Sequence, residues 1–340
     1  MPTDRRWKTE LGWWSFVLLA CAHFSLTYAQ RCPPFLTLQS YAAGQAALPY
    51  QARVLMAWVL KSSVDSTFVT WVATMSNHFV RDRYEVVTIF SSALGMLVAI
   101  WATRRSLTVL TADARFAQGA SLLVLWMSYF MLAVPYGLTY SLPYDVPSLG
   151  FFALGLMLVI AERTWLLPLL IGVGTLNRET ICFVILFYAV WTWVMAGPRP
   201  VSEKLQRVTP MVLLLSAIWV GIKLYLRMRF AHNAAEAHGN GLFQTLVLHN
   251  LSFLVNPSQW PLFASLFGFT LPVLWLGRRW IRHRPLEAAC AILIPAWFLL
   301  MLVVGVIVEV RVFNELSALV SLAVGMMVFH RFWVPARGAK

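Results

Sequence analysis

Apolar stretches alternate with short polar ones along almost the whole chain. They run over Leu11–Ala29, Tyr84–Ala102, Phe116–Val134, Ser148–Ala161, Trp165–Leu176, Ile181–Ala196, Pro210–Leu226, Pro261–Leu276, Leu286–Val308 and Phe313–Phe329. Several approach the roughly 20 residues that a helix needs to cross a bilayer core. The short alternating segments of a transmembrane barrel are absent. The pattern predicts an all-α polytopic transmembrane bundle of about ten spans, a single domain over residues 1–340. Trp165–Leu176 covers only roughly 18 Å at helical rise. The polar residues after it therefore sit at the membrane surface or recessed below it.

Two polar intervals are longer. In the first, 30–83, Pro33-Pro34 and Pro49 break the chain, and Arg53 and Lys61 flank an apolar centre too short to span. Gln51–Lys61 reads as an interfacial helix. Val64–Val80 carries Asp65, Asn77, His78 and several hydroxyls, and reads as a second surface or partly re-entrant helix. The second interval is 227–260. Both fall on the outer side if the N-terminus is inside.

Composition strengthens the membrane reading. The chain is 59% hydrophobic and 12% charged, with a mean hydropathy of +0.69. The net charge of +13 does not point to nucleic acid. The basic residues lie in short clusters between spans: Arg104-Arg105, Arg199 to Arg207, Arg278 to Arg284, and Arg331, Arg337 and Lys340. That is the positive-inside arrangement, and it places both termini in the cytoplasm. Arg227 and Arg229 fall on the outer side, against the rule. Leu18-Leu19-Ala20-Cys21 loosely matches a lipoprotein cleavage box, but a polytopic chain usually keeps its first span. Cys21, Cys32, Cys182 and Cys290 show no paired spacing, so neither a disulfide framework nor a cysteine metal site is expected.

The candidate chemistry lies where charge interrupts the apolar pattern. Arg53, Asp145, Arg178, Glu179, Glu309, Arg311 and Glu315 all fall on the outer side. Ionisable groups near membrane depth cost roughly 2.5–3.5 kcal/mol each on insertion scales, so they persist where they pair or act. A carboxylate there, Asp145 or Glu179, could take a proton from a hydroxyl nucleophile or hold a divalent cation such as Mg or Mn. Arg53, Arg178 and Arg311 suit phosphate, because the guanidinium fork binds its oxygens bidentately. Glu309 and Glu315 could orient the arginines or bind acceptor hydroxyls. The competing reading is that these are structural ion pairs pinning span ends. Weaker features have plainer explanations. Tyr136, Tyr140 and Tyr144 suit the interfacial aromatic belt. His232, Glu236 and His238 read as a solvated loop. Asn250-Leu251-Ser252 fits a glycosylation acceptor, relevant only in a secretory host.

The first span, the outer segment with surface helices, Tyr50–Leu55, Tyr144–Leu149, Thr175–Thr180 and Glu309–Leu316 together resemble the GT-C class of membrane glycosyltransferases and related bacterial membrane proteins. The resemblance covers about residues 10–330 in short motifs. It implies a GT-C-like bundle that transfers a sugar from a polyprenyl-phosphate donor at the periplasmic face, often with a divalent metal. That class usually carries an acidic base early in the first outer loop. Here no acid occurs between Gln30 and Lys61; Asp65, Asp82 and Glu85 are the first to follow. Two other classes fit the same residues: a transporter or flippase, which would site its ligand at mid-membrane between repeated halves, and a non-catalytic membrane scaffold.

Overall fold

Helices alone build the structure, a computed structural model that describes residues 3–76, 78–134, 140–234 and 242–334. In chain order the α-helices are α1 (Thr3–Arg31), α2 (Leu38–Ala42), α3 (Val54–Ser63), α4 (Thr67–Met75), α5 (Arg83–Thr111), α6 (Ala114–Ala120), α7 (Leu123–Ser128), α8 (Asp145–Ile160), α9 (Leu167–Asn177), α10 (Cys182–Met195), α11 (Val201–Arg229), α12 (Leu242–Val255), α13 (Trp260–Ala264), α14 (Thr270–Gly277), α15 (Arg284–Val304) and α16 (Leu316–Val328). Six stretches are long and apolar enough to cross a membrane: Glu10–Arg31, Arg83–Thr111, Ala114–Ala133, Val201–Arg229, Arg284–Val304 and Leu316–Trp333. The chain is thus built as a multi-pass membrane protein.

The other four expected spans take a different form. Asp145–Ile160, Thr164–Asn177 and Glu179–Met195 are apolar but short. They lie at the centre, where α8 is buried along nearly all its length. Pro261–Leu276 was expected as one span and is instead two short helices, α13 and α14. Phe267, Gly268 and Phe269 between them all have positive φ, which stops a right-handed helix. Gly268 also leaves no room for a side chain: a Cβ added there would collide with the Trp126 indole nitrogen.

The closest helix pair is α5 with α8. A Cβ on Gly95 would lie 2.8 Å from the Val146 carbonyl oxygen, and one on Gly150 would lie 2.8 Å from the Gly95 carbonyl oxygen. Two glycines on facing helices let the backbones touch, as small residues do in membrane bundles. This contact also sets depth. Gly95 is twelve residues into α5, so the first turns of α5 rise ~18 Å beyond the start of α8. The N-terminus of α8 is recessed within the bundle.

The segment between α1 and α5 roofs that recess. Its short helices have a small core of their own: Tyr41, Met56, Ala57, Leu60 and Val69 pack on Val86, Val87, Leu142 and Tyr144. Its outer side exposes Trp58, Phe68, Trp71 and Met75. Apolar and aromatic exposure on short helices suits an interfacial position. The chain after α11 ties in as well: Asn233 donates to the Gly44 and Ala46 carbonyls, and Leu48 N–H to the Ala234 carbonyl. At the other end of the bundle, Arg104 grips both oxygens of Glu10 (2.7 and 2.9 Å) and lies over Trp13.

Candidate functional site

Asp145 opens α8, where a carboxylate is favoured by the positive end of the helix dipole. Its side chain is wholly buried. Two turns and the end of α1 deliver its partners. Arg178, in the turn between α9 and α10, approaches Oδ1 at 3.2 Å. Arg311, in the 3-10 turn Val310–Phe313 before α16, approaches Oδ2 at 3.3 Å. Tyr28, near the end of α1, donates its hydroxyl to Oδ2 at 3.1 Å and accepts the Leu142 N–H. Both carboxylate oxygens are therefore engaged.

The network extends outward from this hub. The Arg178 guanidinium also faces Glu315 Oε1 at 3.3 Å, and that oxygen accepts the Thr180 hydroxyl at 2.8 Å. Arg311 donates to Glu309 as well. Arg53, at the start of α3, holds Glu179 with two nitrogens, at 2.9 and 3.2 Å. It lies 4.5 Å from the centre of the Tyr144 ring, a cation–π contact next to the hub. Burial pulls the Arg53 guanidinium pKa down, but the Glu179 carboxylate and Tyr144 outweigh it, and the pKa stands well above its ordinary value. Arg53 remains a cation at any working pH.

All seven residues singled out in the sequence thus meet at one end of the bundle. They differ in access. Asp145, Arg178, Arg311 and Glu315 are enclosed, with side chains no more than 6% exposed. Glu309 is 18% exposed, and Glu179, at 29%, is the most accessible carboxylate. Buried charges persist when paired and hydrogen-bonded, and the pairing here joins α1, α3, α8, α9, α10 and α16. No three His, Cys, Asp or Glu side chains among the described residues converge as a metal site. Each network carboxylate faces a guanidinium, so the set does not fit a divalent cation.

The roles of several polar residues carry no signal in the sequence. Tyr28 lies in an ordinary apolar run. Asn177 is fully buried and donates to the Tyr144 carbonyl and to Ser148 Oγ, holding α9 against the start of α8. Asn250 is also fully buried and closes the end of α15: its amide donates to the Leu302 and Gly305 carbonyls and accepts the Ile307 N–H. It is a helix-end clamp, out of reach of a glycosyl carrier. Tyr144 is buried beneath Arg53, and the Tyr140 ring packs against Phe35. Tyr136, Asn77, Glu236, His238, Arg337 and Lys340 lie outside the described residues. Arg227 and Arg229 occupy the last turn of α11, where the helix dipole favours cations.

A cavity of about 500 Å³ opens beside the hub, between the end of α1, the roof and the start of α5. Tyr28 lines it, so one side chain joins cavity and network.

No known family matches the sequence, and no curated protein or solved structure is significantly similar to it.

Proposed function

We propose that this protein is a GT-C-like, multi-pass bacterial inner-membrane protein that transfers a sugar from a polyprenyl-phosphate donor at the periplasmic face. The observation that carries the reading is the recessed charged network under a roof of interfacial helices. It is a place where an amphiphile can present a polar head while its chain stays in lipid.

Within this reading the residues divide by access. Glu179 and Arg53 are the working pair, being the least enclosed carboxylate and the guanidinium nearest the roof. Glu179 takes the proton of an acceptor hydroxyl. The acceptor oxygen bonds to the sugar C1, the C1–O bond to phosphate breaks, and the polyprenyl phosphate leaves with the electron pair. Arg53 is positioned to bind the leaving phosphate. Asp145 is wholly buried between two arginines and Tyr28, so it positions the arginines. Glu179 also gives both oxygens to Arg53, but it is 29% exposed and acts as the base once Arg53 turns to the phosphate. Divalent-metal chemistry has no place here, because the carboxylates face arginines.

The test is sugar transfer from a polyprenyl-phosphate sugar to a soluble acceptor by the protein in lipid. Glu179→Gln is expected to cut the rate at least 100-fold while the protein stays folded. Full activity in that variant would sink the reading. One observation favours a second reading, a non-catalytic scaffold: every acid of the network is matched to an arginine. A scaffold would show no transfer in the wild type, and a charge-swapped Arg53→Glu with Glu179→Arg pair would retain its cellular role.

A further inference from the structure

The cavity between α1, the roof and α5 has the size of a small-molecule site. Its mouth is exposed at Thr37 and Gln39, and its floor is buried at Ser25, Thr88 and Ser92. Two of the floor hydroxyls are unusual. Ser25 and Ser92 are each 1% exposed, and neither Oγ has a hydrogen-bond partner among the described residues. Helical hydroxyls normally bond back to the carbonyl four residues earlier. Thr88, Ser106, Thr108 and Thr111 all do so on the same helix, α5. Ser92 does not, and Ser25, facing it from α1, does not either. Buried polar groups are nearly always hydrogen-bonded, so two open hydroxyls in one cavity wall point to a ligand that completes them.

The charges around the cavity are committed to one another. Asp82 caps α5 by accepting the Glu85 N–H at 2.8 Å. Glu85 accepts the Arg81 N–H, and its other oxygen lies 3.8 Å from the Arg81 guanidinium. Arg81 also donates to the Ala29 carbonyl, and Arg83 pairs with Asp65 at 3.1 Å. Both arginines are thus paired with acids and Asp82 is held as a helix cap, so no unpaired cation lines the cavity. What remains is hydroxyl groups, with the Ile89 side chain and the Phe35 ring as apolar flanks.

We infer that this cavity binds an uncharged, polyhydroxylated molecule of about monosaccharide size, with Ser25 and Ser92 as specific hydrogen-bonding partners. The inference stands on the cavity alone and does not require the transferase reading.

The test is equilibrium dialysis of labelled methyl glucoside against the full chain in polymer-bounded lipid discs, prepared without glycoside detergents. Saturable binding is expected below about 10 mM. Ser25→Ala and Ser92→Ala should each weaken it about fivefold, the worth of one hydrogen bond. Neither should lower thermal stability, because no protein hydrogen bond is lost. Inorganic phosphate and choline should not compete. Absence of saturable binding, equal binding by the double alanine variant, or displacement by phosphate or choline would each overturn the inference. Glucoside binding is read without donor lipid, so failure of this site is distinct from failure of sugar transfer.

Discussion

Replacing Asp145 by Asn keeps the shape of the hub and removes its charge. Two guanidiniums and a phenol, at 3.2, 3.3 and 3.1 Å, lose the shared negative charge, and one of the two accepting oxygens becomes an NH2 that faces their donors. Breaking a buried ion pair from one side costs about 3–5 kcal/mol, because the opposite charge stays buried. Neither arginine is stranded here: Arg178 retains Glu315 and Arg311 retains Glu309. The lower end, about 3 kcal/mol, is therefore expected, a shift of roughly 100-fold in the folded-to-unfolded ratio. Unfolding in mixed micelles, followed by tryptophan fluorescence, measures it. Trp219 is a suitable reporter, since its indole N–H donates to the Glu179 carbonyl beside the network. Adding Arg311→Met should cost about 1–3 kcal/mol less than the sum of the single changes, because both remove the same Asp145–Arg311 contact. The reasoning is refuted if Asp145→Asn stays within about 0.5 kcal/mol of the wild type. The carboxylate would then contribute nothing to the fold, and a catalytic role for it would become the better explanation.

Two further predictions address packing and sidedness. Gly95→Ala should lower stability by about 1–3 kcal/mol in the same assay, since its Cβ would meet the backbone of Val146 and Pro147 below 3 Å; unchanged stability would mean that α5 and α8 pack less closely than described. In a background without Cys21, Cys32, Cys182 and Cys290, Gln39→Cys should label in intact cells with an impermeant thiol reagent. Glu162→Cys, in the exposed turn between α8 and α9, should label only after permeabilisation. The reverse result would invert the topology and remove the periplasmic assignment.

Helix class and membrane character were legible in the sequence because both depend on local composition. An apolar run of sufficient length has few alternatives to a helix in a bilayer, where every backbone group must be bonded internally. The charged turns were equally legible: Arg178, Asp145 and Arg311 stand out because charge is rare in such surroundings. Tertiary structure decided which of them meet. Arg178 reaches Asp145 across 33 positions and Arg311 reaches it across 166, and alternation of spans supplies sidedness but no distance. It also decided that Asp145 is enclosed while Glu179 is not. The break at Phe267–Phe269 was hidden because two of its three left-handed residues are phenylalanines, which carry no turn signal, and the neighbour that Gly268 lies against, Trp126, is remote in sequence. Asn250, Tyr28, Ser25 and Ser92 were hidden for a related reason. Single polar groups scarcely disturb an apolar run, and their roles exist only where another helix brings, or withholds, a partner.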